Sequence, residues 1–284
     1  MADVQKSAFS LSSATIMMGK AFVDDVFALR PDKDSIGMVS EVAVPVDSSL
    51  TSLLNGVSQS EVDAKRTGVS TTITANVYEM TAQNFMRAQA MSGAPTVSVK
   101  RGKLTADLAA NAVSMTIASD PIPGEASSAI TQITDIPSGS TLLIQRPGGE
   151  NDYVFPTKSS GAATATAPNF TVPIADDYQI PDGMTFPAGS SVWVVSPVGV
   201  GNIDSDDLFC VKISGVLTQF NRPVVYVAPK VRVTKGFQLS FNETQYTSMP
   251  WELKPLLMSA TEVSSLARLE EVGTRQSGLV YAGG

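Results

Sequence analysis

Alternation with period two is the feature that most constrains this chain. In 69–79 (VSTTITANVYE), Val69, Thr71, Ile73, Ala75 and Val77 fall on one side, and Ser70, Thr72, Thr74, Asn76 and Tyr78 on the other. Successive side chains of an extended strand point to opposite faces, so the pattern predicts a strand with one face inward and one wet. Residues 36–46 (IGMVSEVAVPV) read as a strand with Met38, Val42, Val44 and Val46 on one face, and Pro45 marks its end as an edge or a bulge. Strands are also predicted over 208–217, 224–233 and 236–242. In the last, Phe237, Leu239 and Phe241 oppose Gln238, Ser240 and Asn242. Residues 21–28 (AFVDDVFA) read as a strand or strand entry.

Two helices interrupt this. The first is expected over 82–91, with Thr81 as N-cap, Gly93 as C′ residue and a packing stripe of Ala82, Phe85, Met86 and Gln89. The second is expected over 260–272, opened by a Ser259/Glu262 capping box, with Val263, Leu266 and Ala267 as its stripe and Gly273 closing it. Between strands lies 47–68, long and polar, with an Asn55-Gly56 turn signal. It reads as a loop without an element of its own, and loops of that length are usually functional.

Charge divides the chain. Residues 103–200 carry three basic and nine acidic residues, a net of −6, while the rest nearly cancels at −1. Inside that acidic stretch, short apolar runs (VSMTIA, TLLIQR, DYVFPT, FTVPI, SVWVVS) alternate with turn clusters, which reads as a small all-β module. Ile136-Pro-Ser-Gly-Ser-Thr-Leu and Phe186-Pro-Ala-Gly-Ser-Ser-Val are look-alike turns that each feed a strand. The expected organisation is one discontinuous β domain, 1–102 with 201–284, and a β module inserted at 103–200.

Composition removes several functions. The chain has no histidine, so a Ser-His-Asp or Cys-His site cannot be built. Cys210 is the single cysteine, in an apolar run that makes it a buried small hydrophobe. Asp24-Asp25, Asp176-Asp177 and Asp206-Asp207 are adjacent pairs that read as solvated turn charge, and Trp193 and Trp251 as core or interface aromatics. A net charge of −7 argues against binding by phosphate neutralisation. No apolar run reaches the ~18 residues of a membrane span, and the start (MADVQKSAFSLSSATIMMGK) is not patterned as a signal peptide. The expectation is a soluble protein made in the cytoplasm, not an enzyme, with no cofactor, no metal and no membrane. Residues 1–20, apolar and serine-rich with weak periodicity, are expected to be ordered only by a partner.

Two stretches resemble a known family. SIGMVSEVAVPVDSS, a long segment, then KRTGVSTTITANVYEMTAQNFMRAQAMSG is similar to the major tail tube protein of long-tailed bacteriophages, and VVYVAPKVRVTKGFQLSFNETQYTSMPWELKPLL to its late strand pair and following loop. The resemblance covers roughly 36–93 and 208–258, and 103–200 departs from a minimal tube protein. It implies the tail tube and type VI secretion tube fold, a β-sandwich or β-barrel with a short flanking helix. It implies a virion structural subunit that assembles into stacked rings of six, whose lumen conducts DNA into the host. The implied partners are further copies, tail tip or baseplate proteins, the tail terminator, the tape measure protein and DNA in non-specific passage. Ser70, Thr72, Thr74, Asn76, Gln238, Ser240 and Asn242 are candidates for the lumen wall. The segment holding Ser48, Leu50, Leu53, Asn55, Gly56, Glu61, Asp63, Lys65 and Arg66 is the candidate contact between rings. The inserted module is expected on the outer surface, where it would obstruct a tight sheath and so points to a non-contractile tail. The competing reading is a virion or cell-surface decoration or adhesion protein with Ig-like β modules. A carboxylate glycosidase is the weakest, since no acidic pair stands in an aromatic groove.

Overall fold

The computed structural model describes residues 11–54, 61–147, 154–166, 168–201, 205–217, 222–238 and 247–282. Strand accounts for 44% of the protein and the helices are few and short, so it is mainly β, in antiparallel sheets. In chain order, β1 (Leu11–Lys20), α1 (Pro31–Asp34), β2 (Val39–Ala43), β3 (Val46–Leu54), β4 (Glu61–Thr71), β5 (Ile73–Val77) and α2 (Ala82–Ala88) come first. Then follow β6 (Lys100–Leu104), β7 (Ser114–Ser119), β8 (Thr141–Gln145), β9 (Val154–Lys158), β10 (Thr164–Thr166), β11 (Asn169–Pro173) and β12 (Ser191–Val195). The last are β13 (Phe209–Leu217), β14 (Arg222–Lys235), β15 (Met249–Pro255), α3 (Ala260–Val263) and β16 (Leu279–Ala282). The chain divides into two compact units, Met1–Gly93 with Gly199–Gly284, and Ala94–Val198.

In the first unit the strand order is β1-β13-β14-β15-β5-β2, with β16 also on β14. The ends of this sheet come round to each other: Met17 bridges Ser35, and Ile36 N–H donates to Ile16 O at 3.0 Å. Ile16, Ile73, Val77, Val211, Met249 and Trp251 fill the inside. Met17, Cys210 and Val227 point the other way, under a cover that includes Leu29, Met258, Leu269 and Val272. β1, β13 and β14 are therefore covered on both faces, which corrects the expectation for residues 1–20. Residues 11–20 are a strand held within the chain by β13, because Ile16, Met17 and Met18 are all buried. Residues 1–10 lie outside the described residues.

Helix α2 keeps its predicted N-cap, with Thr81 Oγ1 accepting from Asn84 N–H. Its fully buried residues are Asn84, Arg87 and Ala88, while Phe85 of the expected stripe is half-buried against the core and edge-on to Phe237. The reason lies at the seam, where strand carbonyls lack ladder partners. Asn84 Nδ2 donates to Ile36 O (2.9 Å), and Arg87 Nη2 donates to Met18 O (2.9 Å). A buried carbonyl without a donor costs about 1–3 kcal/mol, so polar side chains win this face. Burial pulls the Arg87 pKa down, while Asp34 and Asp24 oppose that. The helix ends earlier than predicted, on Ala90 at φ 57, with Ala90 N–H donating to Arg87 O and Met91 N–H to Met86 O. That pair of bonds is a Schellman cap, so Gly93 is not the C′ residue.

Other expectations change as well. Residues 21–28 form turns, in which Asp24 accepts from Lys20 N–H and Asp25 from Phe27 N–H. Residues 224–235 belong to one long β14, and 236–238 carry no strand. The capping box of Ser259 and Glu262 is present, but α3 stops at Val263, and Arg268 turns left-handed before a short 3-10 turn buries Leu269. Ala267 is exposed rather than part of a packed stripe.

The second unit is a sheet in the order β10-β11-β7-β6-β12-β8-β9, closed where Ala175 N–H donates to Lys158 O and Ser160 N–H to Pro173 O. All five predicted strands are present. Its boundaries fall at 93/94 and 198/199 rather than 102/103 and 200/201. The reason is β6, which pairs with β7 and β12 and so belongs to this unit. The look-alike turns mark an internal two-fold. In each, a glycine takes positive φ (Gly139 79°, Gly189 88°) and the following serine Oγ donates back to the proline carbonyl, at 2.6 and 2.7 Å. The ladders repeat in step. Thr141 pairs Lys158 as Ser191 pairs Lys103, and Ser159 bridges Ile174 as Leu104 pairs Ile117. The halves are β7-β8-β9 and β11-β12-β6, the second being permuted because β6 comes first in the chain. Ile136, Leu142, Ile144, Phe186, Val192 and Val194 meet inside with no exposure.

Candidate assembly surface

The long polar segment 47–68 is not a loop. It is a β-hairpin, β3 with β4, standing apart from the seven-stranded sheets. Asn55 and Gly56 lie outside the described residues. The hairpin continues the β2–β5 pairing, since Ala43 faces Thr74 and Val46 faces Thr71 in one unbroken register. The strands are interrupted at Pro45, which has no N–H, although Thr72 N–H still donates to Pro45 O at 3.1 Å.

Unbroken register has a consequence for the side chains. Residues directly opposite share a face, and alternate residues of a strand share it too. Val46, Thr71 and Val69 therefore lie on the face that Ile73, Ala75 and Val77 turn to the core. Within the sheet those residues are buried, and Thr71 at the hairpin's base is still buried beside Ser277, but the apolar residues beyond it are left largely exposed among the described residues. Val46 is 58% exposed, Val69 55% and Leu50, on the same side of β3, 63%. Lone two-stranded hairpins are marginal in water, and one with an uncovered apolar stripe lacks the layer it needs.

The remaining candidates spread out. Ser48 and Leu50 lie on exposed β3, Leu53 further along it, and Glu61, Asp63, Lys65 and Arg66 on β4. Ser70 is exposed on the hairpin and Thr72 half-buried at its base. Thr74 and Asn76 lie half-buried along β5, beside a depression of about 170 Å³ whose rim includes Glu41, Lys235 and Glu252. Asn76 Nδ2 donates to Glu41 Oε2 at 2.8 Å. Gln238 is exposed beyond the end of β14, off any strand, and Ser240 and Asn242 lie outside the described residues. The structure thus brings Thr74 and Asn76 together on one outward face and does not join Gln238 to them as a strand neighbour.

Some titratable groups elsewhere have their pKa shifted by burial or by hydrogen bonds. Cys210 is buried and its thiol is pushed up to about 12, by desolvation first and by Asp24 next. Asp207 accepts from Ser92 N–H at 2.7 Å, and the Ser92 hydroxyl and N–H hold its carboxyl below the ordinary range. Trp251 is core, while Trp193 is half-buried under the Arg101 guanidinium, 5.2 Å from its ring. No described helix is long and apolar enough to cross a membrane.

Sequence reasoning missed the apolar stripe because it assigned Val69 to a core strand and 47–68 to a loop. The parity of Val44, Val46, Ser48 and Leu50 against Pro45 was the available signal. Compared with known proteins, the chain matches no family model and no curated protein.

Proposed function

We propose that this protein is a self-assembling structural subunit of a bacteriophage tail tube, forming stacked six-membered rings around a channel for DNA. The observation that carries the reading is the core-facing stripe that runs out onto the hairpin and stays uncovered at Val46, Leu50 and Val69. A monomer leaves this face wet, and neighbouring copies in a ring or stack would cover it. The outward face of β5, with Thr74 and Asn76 beside two carboxylates, Glu41 and Glu252, and one lysine, Lys235, supports the channel reading. Each phosphate neutralised by lysine or arginine strengthens DNA binding, so a channel wall in which small polar and acidic groups outnumber basic ones lets DNA pass. The inserted barrel is assigned to the outside of the tube, because six copies of its acidic surface in a channel would repel one another. Negative-stain electron microscopy of concentrated protein tests this: hollow rings or tubes are expected, and uniformly dispersed particles would overturn it.

A further inference from the structure

The buried guanidinium of Arg87 is under-used. Arg87 is only 7% exposed, yet its one hydrogen bond among the described residues runs from Nη2 to Met18 O at 2.9 Å. A guanidinium carries five N–H donors and no acceptor, so most of its capacity is left open. Arg87 is in no ion pair among the described residues. Buried guanidinium groups are ordinarily met by a fork of acceptors, because a buried charge without a partner is costly.

The open donors belong to a cavity. Arg87 lines a space of about 140 Å³ together with Lys20, Lys33, Asp24 and Asp34. Both carboxylates are tied to turn backbone: Asp24 Oδ2 accepts from Lys20 N–H at 2.6 Å, and Asp34 Oδ2 from Arg30 N–H at 2.8 Å. Asp207, whose carboxyl also feels Lys20, accepts from Ser92 N–H. Asp34 and Asp24 favour the charged form of Arg87, but desolvation outweighs them and its pKa still falls. The turns thus hold the acids where they only partly offset the burial of the guanidinium. Lys20 and Lys33 are exposed, and neither is in an ion pair among the described residues. The lining therefore sets three cations against two carboxylates that are already engaged. The space has room for several waters, and so for one tetrahedral oxyanion. A buried fork of donors with two mobile ammonium groups is the donor set that such an anion takes.

We infer that this cavity binds one small tetrahedral oxyanion of the phosphate class, with the open Arg87 donors as its fork and Lys20 and Lys33 supplying the remaining charge. Its lining comes from β1, α1 and α2, so an occupied site braces the seam of the first unit. The site is complete within one chain and does not depend on assembly.

Inorganic phosphate is the probe, added to the dilute full-length protein at constant ionic strength. Equilibrium dialysis should find one phosphate bound per chain at millimolar concentration. The thermal transition of the first unit should rise with phosphate, as binding to the folded state requires. The barrel is the internal control, since the general salting effect of phosphate acts on both units alike, and the Phe186→Ala variant identifies its transition. Lys20→Gln with Lys33→Gln changes exposed side chains and should weaken phosphate binding on the order of tenfold. Circular dichroism checks that this variant is folded. No bound phosphate, an equal rise of both transitions, or wild-type affinity in the double variant would each overturn the site and leave the tube reading untouched.

Discussion

The two units solve one problem in opposite ways. Both must bury the apolar face of an antiparallel sheet and deal with its edges. The Ala94–Val198 barrel does so internally: its halves repeat about a two-fold, β9 closes onto β11, and the inward residues of β8 and β12 have no exposure. The first unit closes a seam with α2 and then lets one ribbon continue past Pro45 with its apolar side bare. A unit that completes itself suits a passenger, and a unit that stops short suits a building block. The difference is one of unfinished burial and not of strand chemistry, which is alike in both.

The comparison can be broken at its strongest point first. Phe186→Ala should cost the barrel about 3–5 kcal/mol by opening its core, while the proposed ring or tube formation should continue. Calorimetry should show one transition falling and electron microscopy should show unchanged assemblies. Loss of assembly would mean that the units are not independent. Replacing 94–198 by a short Gly/Ser bridge carries the same logic further and should leave rings of unchanged channel diameter.

Next in size is the seam. Arg87→Met removes the donor to buried Met18 O and should cost the first unit about 1–3 kcal/mol, with the barrel's transition unmoved. A shift of both transitions would join what the comparison separates.

Acid should act on the first unit through Asp207 and Glu262. Ser92 lowers the carboxyl pKa of Asp207, and Lys230 followed by Ser259 lowers that of Glu262. Depressed folded-state values mean that their contribution is present above the unfolded-state range, near pH 4, and is lost as pH falls through the folded values. Thermal unfolding followed from pH 6 to pH 2 should show this loss, and Asp207→Asn should flatten part of it. An unchanged slope in that variant would remove Asp207 from the account.

The smallest effect on stability is the most diagnostic of assembly. Val69→Thr alters an exposed side chain and should move monomer stability by no more than about 0.5 kcal/mol, yet it should raise the concentration needed for assembly. An equally small effect on both would leave the bare stripe without a role.

Local pattern fixed much of this protein. Alternation places β5, β7, β8, β11 and β12, the Thr81 and Ser259 caps open their helices, and the segments at 136 and 186 read as turns that each feed a strand, because each depends on residues a few positions apart. Partner choice is not local. Residues 1–20 read as a segment ordered only by a partner, whereas β1 is ordered within the chain, because its burial on both faces comes from β13 and from the cover over Met17, most of it some 200 residues away in sequence. The expected boundary at 102/103 cuts through β6, because its Lys-Arg-Gly-Lys-Leu run alternates weakly and is a strand only between β7 and β12. The buried polar side of α2 is not legible locally, because the Met18 and Ile36 carbonyls that Arg87 and Asn84 satisfy come together only once the sheet has curled. Val69 obeys the period of its strand, but the sheet ends at Pro45 and tertiary structure alone decides that its apolar side is left uncovered.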